Sequence, residues 1–365
     1  MTTTTAAPPT APVFDEARAG AFMGTAMTHL SGALTTYACA IGDKLGLFKD
    51  LAAAGPATSA EFADRTGISE RYAREWLSML TCAGYFDHDP ASDRFTLPIE
   101  HQAPLASEGD PMFLGAFYQF PLTLERSGIL GRLTEAFVSG RGVAQEAYGP
   151  EYQVLMERLS APWFDVLLLG PWLEAMPDLV AKLEAGANVA DIGSGAGRAL
   201  IRLAERFPKS RFVGYNIYPP AIALARTKAE AAGVGDCVRF EQRDAASGLD
   251  GSFDIITAFD VLHDSAQPLD LVTAVRKALA PGGTFVAVEI NAGETLAANA
   301  GPMGAIFFGI SIMYCMSTSI AQGGAALGTA GLPESKLREL GVAAGLASVK
   351  RVVESPFNVV YRLER

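Results

Sequence analysis

A mostly parallel α/β sheet covered by helices on both faces, preceded by a smaller helical domain, is the fold class this sequence predicts. Three observations predict it. From about Gly186 onward, short apolar runs alternate with helical stretches to the end of the chain. A glycine triplet, Gly193, Gly195 and Gly197, follows the first of those runs and opens a helix. Residues 21–105 read helix, helix, helix, hairpin, the order of a winged helix. Alternation of this kind makes parallel strands joined by crossover helices.

The alternating half reads as follows. NVADIG is a strand and AGRALIRLAERFP a helix; SRFVGYN is a strand and PPAIALARTKAEAAG a helix with Pro at its start. CVRFEQRD and FDIITAFDVL are strands, and PLDLVTAVRKALAPGG is a helix closed by Pro-Gly-Gly. TFVAVEI is a strand, PESKLRELGVAAG a helix, and ASVKRVVE and FNVVYRLER are the final two strands. The link between those two is too short for a crossover, so the last strand runs antiparallel.

Residues 1–20 are rich in Thr, Ala and Pro without apolar period and read as a flexible tail. A long amphipathic stretch from Ala21 to Phe48 ends in a breaker region, GLFKDLAAAGPAT. Thr58 or Ser59 caps the helix SAEFADRTG, and Ser69 caps SERYAREWLSMLTCAG, whose apolar side is Trp76, Leu77 and Leu80. Gly84 stops it, and YFDHDPASDRFTLP forms two short strands around a turn. Residues 106–180 are helical and bulky, with Phe113, Phe117, Tyr118, Phe120, Trp163, Phe164 and Trp172, and are broken by Pro162, Pro171 and Pro177. They read as a connector and lid, ahead of a ligand-binding domain over residues 181–365.

Composition excludes several classes. With 365 residues, 49% hydrophobic and 19% charged, the chain buries a large core and is not disordered. Its formal charge of −11 repels phosphate backbones, so nucleic acid is not expected as a partner. Between Gly20 and Leu105 there are ten acids and six bases, and the turn of the hairpin carries three Asp, which disfavours a DNA-reading wing. The four cysteines, Cys39, Cys82, Cys237 and Cys315, lie far apart without a CxxC or Cys/His cluster. No metal site or disulfide framework is expected, and the usage suits a reducing cytoplasm. The first residues lack a basic n-region and an apolar h-region, so no secretion signal is expected.

The glycines in VADIGSGAGRAL supply a sharp turn and a close approach to a ligand without a Cβ in the way. Their spacing is G-x-G-x-G. A dinucleotide fingerprint wants G-x-G-x-x-G, and that position is Arg198. The spacing tilts the reading from a nicotinamide cofactor to S-adenosylmethionine, against a plain tight turn.

VADIGSGAGR, RFVGYN, VRFEQRDA, FDIITAFDVLHD and LAPGGTFVAVE, in this order and spacing, resemble class I S-adenosylmethionine-dependent methyltransferases, a Rossmann-like fold. The segment from GDKLGLFKDLAAAG to SDRFTLP is similar to the winged-helix dimerisation domain of small-molecule O-methyltransferases, and the whole looks like a bacterial branch of them. The resemblance implies a homodimer. It implies that Asp191, Gly193, Gly195 and Gly197 hold the methionine part of S-adenosyl-L-methionine. Asp244 with Ala245 would meet the adenine edge, and Phe259 and Asp260 would line the cofactor near its methyl. The residue ending the second strand is usually acidic in such proteins and binds the ribose. Here it is Asn216, nineteen positions after Gly197. Asn has one carbonyl acceptor and no charge, which weakens ribose binding by about 1–3 kcal/mol.

Methyl transfer needs alignment of nucleophile, methyl and sulfur, and removal of a proton from a hydroxyl acceptor. His263, in DVLHDS just past the fourth strand, is the candidate base, and its LHD triplet resembles the segment carrying the catalytic histidine of plant-type O-methyltransferases. A capping or packing histidine is the alternative. His29, His88 and His101 are weaker candidates.

Thr295 to Pro333 holds no charged residue. Its length approaches that of a membrane span, but the strand before it and the helix and strands after it belong to one sheet, so it reads as a helical cap and no membrane is expected. Met303, Phe307, Phe308, Met313, Tyr314 and Met316 would line an acceptor pocket with Phe117 and Trp163, or else pack a core or a dimer interface. An apolar, aromatic or polyketide-like small molecule with one nucleophilic O, N or S is the expected acceptor. A cofactor-binding sensor without methyl transfer, and other chemistry on the sulfonium, remain alternatives at this point.

Overall fold

The computed structural model describes residues 13–365, so most of the expected tail lies outside the described residues. The chain divides into two compact units, Met1–Ala106 and Ser107–Arg365.

The first unit begins with α1 (Glu16–Leu45). Residues 16–20, expected as tail, are its first turn. The Asp15 carboxylate accepts the Arg18 N–H at 3.0 Å, and Glu16 complements the helix dipole. Gly46, left-handed at φ 70°, ends α1 and starts α2 (Leu47–Ala54). The expected breaker is therefore helical, because Leu47, Phe48 and Leu51 are buried. Thr58 and Glu61 form a reciprocal capping box on α3 (Ser59–Thr66). α4 (Glu70–Cys82) follows, then the antiparallel pair β1 (Asp87–Asp89) and β2 (Arg94–Thr96), and α5 (Ile99–Ala106).

Phe48, Phe62, Trp76 and Phe86 make this unit's aromatic core, and Trp76 Nε1–H donates to Ala38 O at 2.9 Å. A Cβ on Gly42 would lie 2.5 Å from the Trp76 ring, so glycine lets α1 close on it. The opposite side of α1 is different. Met23, Met27, Leu30, Leu34, Tyr37 and Ile41 are all exposed there, at alternating steps of four and three.

The second unit opens with α6 (Gly115–Arg126), α7 (Ile129–Ser139) and α8 (Gly149–Pro162). π-Helical turns over Trp163–Trp172, broken at Gly170, lead to α9 (Pro177–Ala185). The alternation then runs β3 (Asn188–Ile192), α10 (Arg198–Arg206), β4 (Arg211–Asn216), α11 (Pro219–Ala231) and β5 (Val238–Gln242). It continues through β6 (Phe253–Phe259), α12 (Pro268–Ala278) and β7 (Leu279–Ile290). The insertion contributes α13 (Pro302–Ile310), a π-helical turn over Ser311–Cys315 and α14 (Met316–Ala321). α15 (Glu334–Ala343), β8 (Ser348–Glu354) and β9 (Asn358–Glu364) close the chain.

The sheet order is β5-β4-β3-β6-β7-β9-β8, and β9 alone runs antiparallel, wedged between β7 and β8. One face packs Trp172, Leu179, Leu200 and Ile222 from α9–α11 and the π-helical turns; the other packs Leu271, Val275 and Leu337 from α12 and α15. Helices change face between β3 and β6, which makes that crevice the sheet's topological switch point. Pro302–Ala321 is apolar and long enough to cross a membrane. The β7 strand before it and the β9 strand after it pair with each other, so both flanks return to one sheet.

Candidate active site

The glycine loop spans the switch point. Gly193, Gly195 and Gly197 take φ of 68°, 52° and 82°, which side chains rarely adopt. A Cβ at Gly193 would sit 2.4 Å from Val261, and one at Gly197 2.4 Å from the Phe240 ring. At Gly195 a Cβ would meet nothing within 4 Å. The first and third glycines are thus demanded by packing, while the second faces open space. Beside it the Ser194 hydroxyl is buried without a hydrogen-bond partner. An open backbone stretch, an unpaired hydroxyl and the N-terminus of α10 together suit a small polar ligand.

The other residues expected around this ligand are largely engaged by the protein itself. Asp191 lies under the loop, 2% exposed, and accepts from Thr257 Oγ1 at 2.6 Å. Burial pushes its carboxyl up to about 7, against the hydroxyl that favours the charge. Asp191 therefore supports the loop from inside the sheet rather than presenting its carboxyl outward. Asn216 Oδ1 accepts the Tyr218 N–H at 2.8 Å and so begins α11. Asp244 is exposed and accepts the Ala246 N–H at 2.9 Å, with Ala245 buried beside it. The Phe259 ring packs edge-on to Phe164 and stacks on Trp172. Arg198, after the third glycine, is held by Asp165 of the π-helical turns.

Past β6 the chain turns into a buried polar cluster. Asp260 has φ 54°, its N–H donates to Val288 O, and its carboxylate accepts from Asn358 Nδ2 at 3.0 Å. Burial pushes Asp260 up to about 7. Glu289, near the C-terminal end of apolar β7, accepts twice: from Leu262 N at 2.8 Å and from His263 Nδ1 at 2.6 Å. His263 Nε2 lies 3.2 Å from Asp264 Oδ1, yet that oxygen makes no hydrogen bond. Burial disfavours the imidazolium, but Asp264 and Glu289 outweigh it and hold the ring's pKa well above the ordinary histidine value. Cys315, from the π-helical turn, stands against the same group and accepts from Thr329 Oγ1 at 3.1 Å; burial pushes its thiol up to about 12.

The sequence pointed to His263 but not to Glu289, Asn358, Cys315 or Thr329. Glu289 had a readable signal, a lone acid inside an apolar strand; the others had none. The expected acceptor pocket is dispersed. Phe117 stacks on Phe357, and Trp163 packs against the core beneath the π-helical turns. Phe307 is buried, while Met303 and Met316 are half-buried and Phe308 is exposed. Tyr314 stacks on Tyr152 and meets Tyr148 edge-on, with Met313 in the same cluster, because that satellite core needs aromatic filling. An apolar cavity lies elsewhere, between β3, β6, β7 and the helices over them; Leu168, Trp172, Met176, Phe259 and Val360 are on its wall. Among the weaker histidines, His88 binds Asp93 at the hairpin turn, His101 binds Tyr85 O, and His29 is exposed on α1.

Residues 190–285 match the family described as a methyltransferase domain, and residues 33–107 match the Rv2258c-like winged HTH domain. This chain joins a winged helix-turn-helix domain to a methyltransferase domain. A demethylmenaquinone methyltransferase of Thermus thermophilus is 34% identical over 120 residues, 32% of this chain and 53% of that protein; the chain thus spans about half the length of that relative. A 3-hydroxy-5-methyl-1-naphthoate 3-O-methyltransferase of Streptomyces sahachiroi is 26% identical over 272 residues, 73% of this chain and 77% of that one. The structure of mitomycin 7-O-methyltransferase superposes with TM-score 0.65 at 19% identity, covering 96% of this chain and 100% of that one. Human N-acetylserotonin methyltransferase in complex with S-adenosylmethionine gives 0.64 at 16%, covering 98% and 99%. At such identities these structures speak for the fold. The open face at Gly195 and the unpaired Ser194 hydroxyl in the methyltransferase domain fit S-adenosylmethionine as the cofactor.

Proposed function

We propose that this chain transfers the methyl group of S-adenosylmethionine to an oxygen, nitrogen or sulfur atom of an apolar small molecule. The observation that carries the reading is the bare glycine loop at the switch point, open at Gly195 beside an unpaired Ser194 hydroxyl. When bound there, the cofactor supplies a methyl activated on a sulfonium. Gly193, Gly195 and Gly197 hold its methionine part, with Asp191 bracing the loop from below. Asn216 faces the ribose, Asp244 and Ala245 the adenine edge, and Phe259 and Asp260 border the methyl. The cluster around His263, held by Glu289, removes the proton of the acceptor. The naphthoate and benzoate O-methyltransferases among the relatives support an aromatic acceptor.

The chain works as a homodimer in this reading. The exposed apolar stripe of α1, spaced like a coiled-coil seam, supports pairing with a second copy. The four arginines between Gly20 and Leu105 are each paired with a carboxylate, which supports protein rather than DNA contact for the winged helix. A cytoplasmic location suits the four free cysteines.

The test is calorimetric titration with S-adenosylhomocysteine, followed by methyl-transfer assays on phenolic, amine and thiol acceptors. Micromolar binding with turnover on an apolar acceptor is expected. Absence of binding removes the reading, and turnover restricted to highly charged acceptors removes the acceptor class.

A further inference from the structure

We propose that the π-helical segment Trp163–Trp172 is a strap across the cofactor crevice, and that Asp165 is the latch that holds it shut and sets how fast the cofactor leaves. The role toward the cofactor rests on the methyl-transfer reading. The segment touches both flanks of the switch point. On one flank Asp165 grips the start of α10, which follows directly on the glycine loop. On the other, at the end of β6, Phe164 packs edge-on to Phe259 with ring centroids 5.1 Å apart, and Trp172 stacks on the same ring at 6.2 Å.

The grip answers a charge problem. A helix N-terminus carries partial positive charge, which an acid in the helix's own first turn usually offsets. α10 has no acid there; it opens with Arg198 and carries Arg202 one turn on. Asp165 supplies the missing charge from outside the helix. Its carboxylate accepts from Arg198 Nε at 3.1 Å and from Arg198 Nη2, a bidentate pair, and Arg202 Nε stands 3.0 Å from Oδ1. Glu157, in α8 just ahead of the segment, contacts Lys228 of α11 and lies 3.6 Å from Arg198 Nη1. These five side chains are all half-buried, so solvent screens them incompletely. Asp165 is thus a positioning residue: it acts on the glycine loop through Arg198.

The segment is also built to swing. Pro162 and Pro171 bracket its length, and neither has an N–H to bond the preceding turn. The helical backbone breaks at Gly170 (φ −105°, ψ −113°), where a Cβ would meet nothing within 4 Å, so packing does not demand the glycine. Beneath lies the apolar cavity, walled by Leu168 and Trp172 of the segment and by Phe259 and Val360 of the sheet. A close-packed interior resists such a shift; this space lets Trp172 move without displacing the rest of the core. A strap hinged at Gly170, with room beneath it and one ionic latch, opens when Asp165 releases Arg198. Opening uncovers Phe259 and the start of α10, where the methyl-transfer reading puts the methyl and the methionine part of the cofactor.

The experiment uses the full-length chain and S-adenosylhomocysteine. Two of the three tryptophans, Trp163 and Trp172, lie in the strap, so stopped-flow tryptophan fluorescence follows release. Hydrogen exchange of the strap amides without cofactor reads the latch by itself. Asp165→Asn is expected to speed both release and strap exchange about tenfold, while exchange in β3, β6 and β7 keeps the wild-type rate. Asp165→Glu keeps the charge and should restore most of both. Salt at about 1 M should speed release from the wild-type chain, which decides the matter if Asp165→Asn folds poorly. Unchanged release or unchanged strap exchange in Asp165→Asn overturns the proposal. So does exchange that rises equally in the sheet, or wild-type release indifferent to salt. If no S-adenosylhomocysteine binds, the methyl-transfer reading falls, and the exchange comparison alone keeps or removes the latch.

Discussion

Glu289 Oε2 accepts the Nδ1–H of His263 at 2.6 Å, and the same carboxylate anchors the His263 loop through Leu262 N. One buried acid on β7 thereby sets the position of the ring after β6. Glu289→Gln keeps the shape and removes the charge. Turnover is expected to fall about ten- to a hundredfold, with a changed pH profile and an unchanged S-adenosylmethionine Kd. His263→Ala is expected to lower turnover at least about a hundredfold with cofactor affinity preserved. Steady-state kinetics beside calorimetry check both, and unchanged turnover in the alanine variant removes His263 from the chemistry.

Asn216→Asp should tighten S-adenosylmethionine. An aspartate keeps the acceptor for Tyr218 N and adds a charged oxygen. A charge-assisted bond of about 1–3 kcal/mol corresponds to roughly five- to a hundredfold in Kd. A titration without gain means the ribose is held by other groups.

The glycines of the loop should separate by mutation. Gly195→Ala, with open space at its Cβ, is expected to weaken cofactor binding strongly while costing about 1–2 kcal/mol of stability for its left-handed backbone. Gly197→Ala drives a methyl into Phe240 and should destabilise the fold more. Melting temperatures and cofactor titrations of the two variants decide this; equal stability losses would contradict it.

Asp191 makes a pH-dependent contribution of predictable sign. Its folded pKa of about 7 exceeds the unfolded value of 3.8. Between those values the folded chain keeps a proton that the unfolded chain releases, so stability falls as pH rises through that window and levels off above it. The slope is at most about 1.4 kcal/mol per pH unit. Asp191→Asn removes this term, so the stability difference, variant minus wild type, should grow from pH 4 to 7. Denaturant melts across that range test it, and a pH-independent difference refutes it.

The α1 stripe gives an association test. Met27→Glu with Leu34→Glu places two charges on the exposed seam and should convert the proposed dimer to monomer without lowering the melting temperature of the first unit's core. Light scattering reads the mass. A wild-type chain already monomeric at micromolar concentration would end the dimer reading.

Much of the architecture was legible because it is local. Alternating strands and helices, the Thr58 cap and the hairpin at residues 87–96 follow from periodicity and turn chemistry within a few positions. Two local readings failed for a local reason: Asp15 is a better cap than the composition of the tail suggests, and buried Phe48 and Leu51 hold helix through the expected breaker.

By itself the sequence determined the α/β order, the bare glycine turn and the acidic net charge of the chain, because backbone preference and net charge need no knowledge of distant neighbours. Only the tertiary structure decided that Asp191 faces inward to Thr257, that the aromatic residues of the insertion divide between core and surface, and that Cys315 and Glu289 meet at His263. Those outcomes depend on which strands lie side by side and where the insertion folds back, and contacts across such separations leave no spacing in the chain to read.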